Sequence, residues 1–412
     1  MEKTIQMTAP VLEQCDVLVI GGGPSGIAAA IAAARLGKEV VILELAGQLG
    51  GMATQGNVGI FMSVGNITGF YRELLENLIP EKLVSADVND FYPQFNPLQF
   101  RYLVTRMVKN QNIKVYYHTR YAAPLKDGER ITGVMAVTRE GMRAFMGKTI
   151  IDCSGDARVA IDCGTPYHAG RPEDGLTQPV TMMFQMQDTG RPVKRSLPEG
   201  CYEYRYVEEL PQGRLLFWKD PETNTLLVNM TRVKGNGALV KDINQFEEEA
   251  LRQVFSVADY LQRNGFETYV LSTIAPQTGV RESNQIVGLH TLSDQDVTTA
   301  KKFEDVVAQT NYEIDIHNPD GGASTDERKI DSYDIPYRCM VPQGVKGLLV
   351  SGRCISASHT AMASLRVMPT CFALGQAAGI AAAIAVDSGA ELAEVDIQLL
   401  HQYMKEQGVS FD

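Results

Sequence analysis

The chain has 412 residues, enough for two domains with separate cores, and its hydrophobic content of 44% is that of an ordinary globular protein. Its 38 lysine and arginine residues are outnumbered by 49 aspartate and glutamate residues, and the formal net charge of −11 argues against general nucleic-acid binding. The seven cysteines include no CxxC pair, which argues against a redox dithiol, a zinc knuckle or a clustered iron–sulfur site, and we predict no metal.

The N-terminal segment MEKTIQMTAPVLEQ has no apolar core. We therefore expect no signal peptide, a cytoplasmic protein and reduced, mostly buried thiols.

The stretch from Asp16 to Glu44 has the organisation of a dinucleotide-binding unit. The continuous apolar run 17–20 predicts a strand buried on both faces, and an alanine-rich helix follows through Leu36. A second buried strand ends at Glu44, whose carboxylate can accept hydrogen bonds from ribose hydroxyls.

Three glycines stand between the first strand and the helix at the spacing GxGxxG. Gly21 permits a tight turn, Gly23 lets the backbone approach a pyrophosphate, and Gly26 allows close packing of the helix on the strand. The helix N-terminus then offers N–H groups and the positive end of its dipole to phosphate. A lone GxGxxG is weak evidence, but this strand, helix and acid make it strong.

A glycine-rich loop, AGQLGGMATQGNVG, follows Glu44 and suggests backbone passing close to a ligand. Beyond it, residues 68–79 predict a short amphipathic helix. A second helix is predicted to begin with Asn96 as N-cap and Pro97 as its first residue.

Several strands are predicted next. One covers 113–118, and a hairpin joins 131–138 to 143–146 through a turn near Glu140. A separate buried strand over 149–153 runs into the turn Ser154-Gly155-Asp156. This second glycine turn at a strand end indicates a return to the same ligand crevice.

The pattern of predicted elements changes from about Pro179. Strand-like runs (VTMMFQMQD, RLLFWKD, TLLVNM) are followed by a long helix pattern from Asp242 to Asn264, and TYVLSTIAP and GVRESNQIVGLH predict further strands. We interpret this region as an α+β insertion that supplies a substrate surface.

The C-terminal part resembles the N-terminal part in its pattern of predicted elements, with a buried strand over 347–350 and a long helix from Pro369. The uncharged run 367–386 is long enough to span a bilayer, but its alanines and glycines favour a helix packed inside the protein, so we predict no membrane insertion. The predicted fold is α/β: a discontinuous Rossmann-like domain (12–178 and 334–408) with an inserted α+β substrate domain (179–333).

The chain resembles the bacterial FAD-dependent oxidoreductases of the glutathione-reductase-type fold. The resemblance rests on DVLVIGGGPSGIAAAIAAARLG, ELAGQLGGMATQG, IDCSGDARVA, GVRESNQIVG, YDIPYRCMVP and GLLVSGRCISASHTAMASLRVMPTCFALGQAAGIAAA, which span most of the sequence. It implies FAD in the nucleotide site. Residues 45–70 contain neither His nor Cys to tether a flavin, so we expect non-covalent FAD.

The resemblance also implies which residues hold FAD. The pyrophosphate would be held by Gly21, Gly23, Pro24, Ser25 and Gly26, and the adenosine ribose by Glu44. The pyrophosphate and ribityl chain would pass Gly50, Gly51 and Met52; the adenine would meet Tyr121; and the remaining contacts would come from Gly155, Asp156, Gly352, Arg353, Thr370 and Cys371. The helix containing Thr370 and Cys371 would aim its N-terminus at the flavin and stabilise negative charge on the reduced ring.

His359 stands just before this helix and is our first candidate for a catalytic acid or base, although a histidine satisfied by the backbone fits the sequence equally well. We expect His359→Ala to retain FAD and to lose at least tenfold in flavin reduction, the low end of general acid–base effects. Arg353 and Arg366 could clamp a carboxylate or polarise a carbonyl; ion pairs with Asp or Glu are the alternative.

Glu313, Asp315 and His317 alternate in YEIDIH and would share one strand face. Strand spacing alone does not define a metal site, but the resemblance places His317 on the substrate side. Arg281 and Glu282 would point to opposite faces of a strand, with Arg281 facing the site or forming a structural salt bridge.

We therefore expect a FAD-dependent oxidoreductase that transfers a hydride between flavin N5 and a small polar metabolite able to carry a carboxylate. The electron donor or acceptor is left open, and the sequence is compatible with a homo-oligomer. The alternatives are a flavin-dependent monooxygenase, a non-catalytic FAD-binding protein and a protein that binds NAD without flavin.

Overall fold

The structure, a computed structural model, describes residues 7–62, 67–79, 92–195, 197–220, 223–321 and 325–411. Its strands are β1 (Val11–Ile20), β2 (Val40–Leu43), β3 (Lys114–Tyr116), β4 (Arg120–Asp127), β5 (Arg130–Thr138), β6 (Gly141–Asp152), β7 (Tyr167–Ala169), β8 (Phe184–Asp188), β9 (Phe217–Asp220), β10 (Thr225–Val228), β11 (Tyr269–Ile274), β12 (Asn284–Ile286), β13 (Val306–Thr310), β14 (Ile314–His317), β15 (Thr325–Arg328), β16 (Tyr333–Pro336) and β17 (Leu348–Val350). Its α-helices are α1 (Pro24–Arg35), α2 (Phe70–Leu78), α3 (Pro97–Asn110), α4 (Arg158–Asp162), α5 (Val240–Arg263), α6 (Asp294–Thr298), α7 (His359–Leu365), α8 (Met368–Ser388) and α9 (Ile397–Glu406).

A parallel sheet in the order β3-β2-β1-β6-β17 forms the centre of the fold. The antiparallel strands β5 and β4 continue from the first half of β6. Helix α1 connects β1 to β2. Strand β17, from the C-terminal part of the sequence, joins the sheet by pairing with β6. The predicted α/β fold with a discontinuous Rossmann-like domain is confirmed.

β6 is one strand where the sequence suggested two, over 143–146 and 149–153. Gly147 interrupts the apolar pattern, but the pairing with β1 continues through it. A Cβ at Gly147 would lie 2.8 Å from the Cβ of Leu18, so close approach of the neighbouring side chain explains a glycine inside the strand.

Helix α8 packs so closely along α1 that its glycines face the α1 backbone directly. A Cβ at Gly375 would lie 2.1 Å from the carbonyl oxygen of Ser25, and one at Gly379 would lie 2.0 Å from that of Ala29. Within the described residues α8 is the one helix long and apolar enough to cross a membrane, yet 89% of its most apolar window is buried in the protein. This agrees with the prediction of an internally packed helix, which begins at Met368, one residue before the predicted Pro369.

The region after β7 contains an antiparallel sheet in the order β11-β8-β10-β9, with α5 packed against it. Their shared apolar core draws on residues 180 to 275, whereas β13, β14 and β16 contribute to the core around α8. The predicted boundaries of the inserted domain, 179 and 333, stay predictions. Helix α3 has Asn96 as its N-cap, as predicted, with the side chain accepting from the Leu98 N–H.

Candidate functional site

The turn between β1 and α1 can be formed only by glycine at two positions. Gly21 has φ +104°, and a Cβ there would lie 2.5 Å from the carbonyl oxygen of Cys153. A Cβ at Gly26 would lie 1.9 Å from the Gly21 carbonyl oxygen. No side chain caps α1, whose N-cap is Gly23 and whose first turn contains Pro24, so the N-terminal N–H groups are free of side-chain acceptors.

The glycine-rich loop after β2 lies against this turn. The Gly50 N–H donates to the Gly22 carbonyl at 2.8 Å. Gly51 has φ +51°, and a Cβ there would lie 2.8 Å from the Cα of Gly23. The two loops therefore form one close-packed backbone surface, and Met52 continues from it toward the cavity described below.

Glu44, directly after β2, is buried beside both loops. Its Oε2 accepts from the Gly22 N–H and its Oε1 from the Ala46 N–H, each at 2.7 Å. Burial raises the pKa of Glu44 above its ordinary value, and the two N–H donors act in the opposite direction. A carboxylate offers about four acceptor sites, so it can also receive ribose hydroxyls.

The segment after β17 meets this turn from the other side. Ser25 donates from its hydroxyl to that of Ser351 at 2.7 Å, and Gly352, with φ +100°, leaves room for Ser25. Arg353 pairs with Asp156 at 2.8 Å. Its guanidinium also lies over Gly155, where a Cβ would approach Cζ to 3.0 Å.

The remaining predicted cofactor residues lie on two elements. Tyr121, near the start of β4, donates to Asp162 at 3.2 Å. Thr370 donates to Thr310 at 3.3 Å, and the Cys371 thiol donates to the Arg366 carbonyl at 3.4 Å. Those two side chains are thus turned to protein partners, and the first turn of α8 can contribute backbone N–H groups, since no side chain caps it.

These features fit a dinucleotide of the size of FAD. A glycine cradle and the uncapped N-terminus of α1 suit a pyrophosphate, a buried carboxylate suits a ribose, and the uncapped N-terminus of α8 suits the electron-rich end of a flavin. All of them lie at the carboxyl ends of the parallel strands, where such sheets bind ligands.

A cavity of about 140 Å³ opens beside the start of α8. It lies between the parallel-sheet domain and the antiparallel sheet of the inserted region. Its walls are formed by Met52, Val58, Ile60, Met62, Thr181, Met183, Asn229, Gly279, Val280, Arg281, Tyr312, Asp315, His317, Arg353, Arg366, Val367 and Met368. Ile60, Met62 and Met183 pack together as an apolar wall, and a charged wall is formed by Arg281, Asp315, His317 and Arg366.

Asp315 is the centre of the charged wall. It pairs with Arg366 at 3.1 Å, with His317 Nε2 at 3.4 Å, and accepts from the Tyr312 hydroxyl at 3.3 Å. Burial acts to raise the pKa of Asp315, but the His317 hydrogen bond and the neighbouring cations outweigh it and hold that pKa far below its ordinary value. Asp315 is therefore ionised at neutral pH.

His317 is held neutral by its surroundings. Burial, followed by repulsion from Arg281 and Arg232, lowers its pKa well below the ordinary value. Its backbone N–H donates to the Gln178 side chain at 3.2 Å, and that amide oxygen also accepts from Arg366 at 3.3 Å. The ring is therefore fixed beside the cavity in its uncharged form.

Arg281 and Arg232 share the side chain of Thr181. Arg281 donates from Nη1 to Thr181 Oγ1 at 2.7 Å and to the Pro179 carbonyl at 2.6 Å. Arg232 donates from Nη1 to the same Oγ1 at 2.8 Å and to Asn229 Oδ1 at 2.9 Å. In the part of the chain that the structure describes, neither arginine has an acidic partner within 4 Å.

Sequence reasoning overlooked Arg232, which lies just behind the cavity wall. One signal could have found it: a lone charge in the otherwise uncharged run TLLVNMTRV, whose neighbours predict burial.

His359 lies apart from the charged wall and does not line the cavity. Its Nδ1 is 2.7 Å from Oε1 of the fully buried Glu282, whose Oε2 accepts from the Gln178 N–H at 2.9 Å. Arg281 and Glu282 precede β12 and do not lie in a strand. The prediction that they point to opposite faces of a strand therefore does not apply. The structure brings together Arg281, His317 and Arg366 but not His359.

No metal-binding arrangement of three or more His, Cys, Asp or Glu side chains occurs among the residues with described positions. Of the alternating trio in YEIDIH, Asp315 and His317 lie in β14 and contact each other, while Glu313 immediately precedes the strand.

Comparison with known proteins agrees with this geometry. The family model described as "FAD dependent oxidoreductase" matches residues 16–404. Mitochondrial dihydrolipoyl dehydrogenase of Dictyostelium discoideum is 46% identical over 63 residues, which are 15% of this chain and only 12% of that protein.

Solved structures are also similar to this chain, at low sequence identity. A geranylgeranyl bacteriochlorophyll reductase-like protein from Thermoplasma acidophilum has a TM-score of 0.50 and 12% identity, covering 96% of this chain and 83% of its own. The myxobacterial chondrochloren halogenase CndH has a TM-score of 0.49 and 14% identity, covering 96% and 79%.

Proposed function

This chain belongs to the FAD-dependent oxidoreductase family, and we propose that it transfers a hydride between flavin N5 and a small polar metabolite bound beside Arg281, His317 and Arg366. One observation carries the proposal. The same cavity is lined by the first residues of α8 and by the charged wall, so a ligand there would meet both the cofactor-binding end of the fold and fixed polar groups. We further propose that FAD is bound without a covalent tether in a glutathione-reductase-type arrangement.

Bound FAD supplies the hydride chemistry, so the protein has to orient the substrate and handle one proton. Arg366 is held in place by Asp315 and Gln178, and Arg281 by Pro179 and Thr181. Two fixed guanidinium groups can orient a polar substrate, because each presents donors in a rigid plane.

We assign the role of general base to His317 in preference to His359. His317 lines the cavity and is neutral near pH 7, as a general base must be before it acts. A ring that donates Nε2–H to Asp315 keeps Nδ1 as its acceptor. His359 is engaged with Glu282 outside the cavity, and its catalytic role stays a prediction.

The test is anaerobic reduction of the FAD-loaded protein by hydroxy acids, sugars and amines, with enoates offered to the dithionite-reduced protein. We expect one class to bleach the flavin, or to reoxidise it, without oxygen. His317→Gln should slow that step at least tenfold, the low end of general acid–base effects, with FAD content unchanged.

His359→Gln is the matched control. A loss confined to His359→Gln would transfer the proton role to that residue. Incorporation of oxygen from O₂ into a substrate, without any anaerobic reaction, would assign a flavin monooxygenase instead. Failure of every substrate to reduce or reoxidise the flavin would favour a non-catalytic FAD-binding protein.

A further inference from the structure

We infer that the charged wall is a carboxylate-binding subsite, in which Arg281 and Arg366 bind the anion and Arg232 supports them from behind, so that the substrate is a carboxylic acid with an apolar body. That the bound acid is a substrate rests on the proposed function. That the charged wall binds a carboxylate does not.

The first support is uncompensated positive charge. Arg232, Arg281 and Arg366 converge on one region, and within the described residues Asp315 is the only carboxylate that pairs with any of them, through Arg366. Burial, followed by repulsion from Arg366, lowers the pKa of Arg281 to about 9. Burial and repulsion from Arg281 likewise lower the pKa of Arg232 well below its usual range. A bound anion would relieve both effects.

The second support is a set of buried donors without acceptors. Nε and Nη2 of Arg232 and Nε of Arg366 are buried and have no hydrogen-bond partner among the residues that the structure describes. Buried N–H groups in native proteins are nearly always paired, so each of these unpaired donors calls for an explanation. Arg366 lines the cavity, and Arg232 donates to two residues that line it, Thr181 and Asn229.

The third support concerns the kind of anion. Two oxygens in one plane match the fork of a guanidinium, which makes a carboxylate a suitable ligand for Arg281 or Arg366. The cavity also has an apolar wall, in which Ile60, Met62 and Met183 pack together. A sugar or a compact phosphate would leave its polar groups against that wall without partners, whereas an alkyl body would be buried favourably.

Isothermal titration calorimetry of the oxidised FAD-loaded protein tests the subsite without turnover. The probes are butyrate, its neutral isostere butyramide, and inorganic phosphate at the same ionic strength. We expect butyrate to bind at least tenfold more tightly than butyramide or phosphate. Arg281→Gln should reduce butyrate affinity at least tenfold and leave butyramide unaffected.

Arg252→Gln is the matched control, because Arg252 is a half-exposed arginine of α5 that pairs with Glu249 and does not line the cavity. Arg366→Gln replaces Arg281→Gln if the latter does not fold. Equal binding of butyrate and butyramide, or no butyrate binding, would overturn the inference, and tighter binding of phosphate would replace the carboxylate with a phosphate. Selective butyrate binding in a protein that reduces no substrate would uphold the subsite while refuting the proposed function.

Discussion

Glu44 and Gly22 are joined by a 2.7 Å hydrogen bond from the Gly22 N–H to the Glu44 carboxylate. The bond ties the acid after the second strand to the glycine turn after the first. The two features that the sequence pattern assigns to ribose and pyrophosphate are therefore one rigid unit, and a change at either position affects the other.

Glu44→Ala is expected to weaken FAD binding. It removes an acceptor suited to ribose hydroxyls and leaves the Gly22 and Ala46 N–H groups without their partner. Hydrogen bonds to a charged group contribute about 1.5–3 kcal/mol each, so we expect a loss of roughly tenfold to a hundredfold in affinity. Fluorescence titration of the apoprotein with FAD measures it.

The control is Glu39→Ala, at the exposed position immediately before the same strand β2. Its FAD affinity should equal that of the unaltered protein. If Glu44→Ala also binds FAD normally, Glu44 does not hold the cofactor.

His317 is expected to make stability depend on pH below about 6.5. Its pKa in the folded protein is far below the ordinary value, so between pH 5.0 and 6.5 the unfolded chain takes up a proton that the folded protein does not. Stability is then fully present above pH 6.5 and falls as the pH decreases, by at most about 1.4 kcal/mol per pH unit from this residue.

His317→Gln, which cannot titrate, should lack this component of the slope. Urea unfolding of both proteins at pH 5.0, 5.75 and 6.5 measures the difference. Asp315 does not disturb the comparison, because its lowered pKa keeps it ionised throughout that window. Parallel slopes in the two proteins would show that His317 is not held neutral.

Gly379→Ala is expected to destabilise the protein by roughly 1–3 kcal/mol, the usual cost of overpacking. Helix propensity alone predicts the opposite sign, since alanine is favoured over glycine inside a helix by about 1 kcal/mol. The added Cβ, however, would lie 2.0 Å from the Ala29 carbonyl oxygen, so α1 and α8 must separate. Urea unfolding decides the sign, with Ser388→Ala in the last turn of α8 as the control.

Asp315→Asn is expected to destabilise the protein by about 3 kcal/mol, the lower end of the cost of breaking a buried ion pair. Arg366 would lose its acidic partner while Arg281 and Arg232 remain nearby. Thermal unfolding with and without 20 mM butyrate tests the reason: butyrate should stabilise the variant more than it stabilises the unaltered protein. A variant as stable as the parent would show that the cluster needs no counter-charge.

The sequence was informative wherever structure depends on neighbouring residues. The glycine spacing and two buried strands predicted the first β–α–β unit, and the Asn96-Pro97 pair predicted the start of α3. Continuity of β6 through Gly147 was not predictable, because it depends on pairing with β1, whose partner residues are far away in the sequence.

The site was predictable only in part. Arg281, His317 and Arg366 could be selected by residue type, but their convergence on one cavity depends on contacts between distant segments, such as the Arg366–Asp315 pair 51 residues apart. Arg232 was missed because the lone charge in its apolar run predicts burial but does not specify a binding role. The choice between His317 and His359 likewise depends on Glu282, which lies 77 residues before His359.

The contact between Ser25 and Ser351 joins residues 326 positions apart, and α8 packs on α1 over a similar span. At 5–20 residues per second, the ribosome needs roughly 15–65 s to make the intervening chain. Throughout that interval the nascent βαβ unit lacks its partner helix, and the second half of β6 has an unpaired edge. The cofactor cradle is thus completed only near the end of translation, and until then its apolar surface and open strand edge make the growing chain a substrate for chaperones and vulnerable to aggregation.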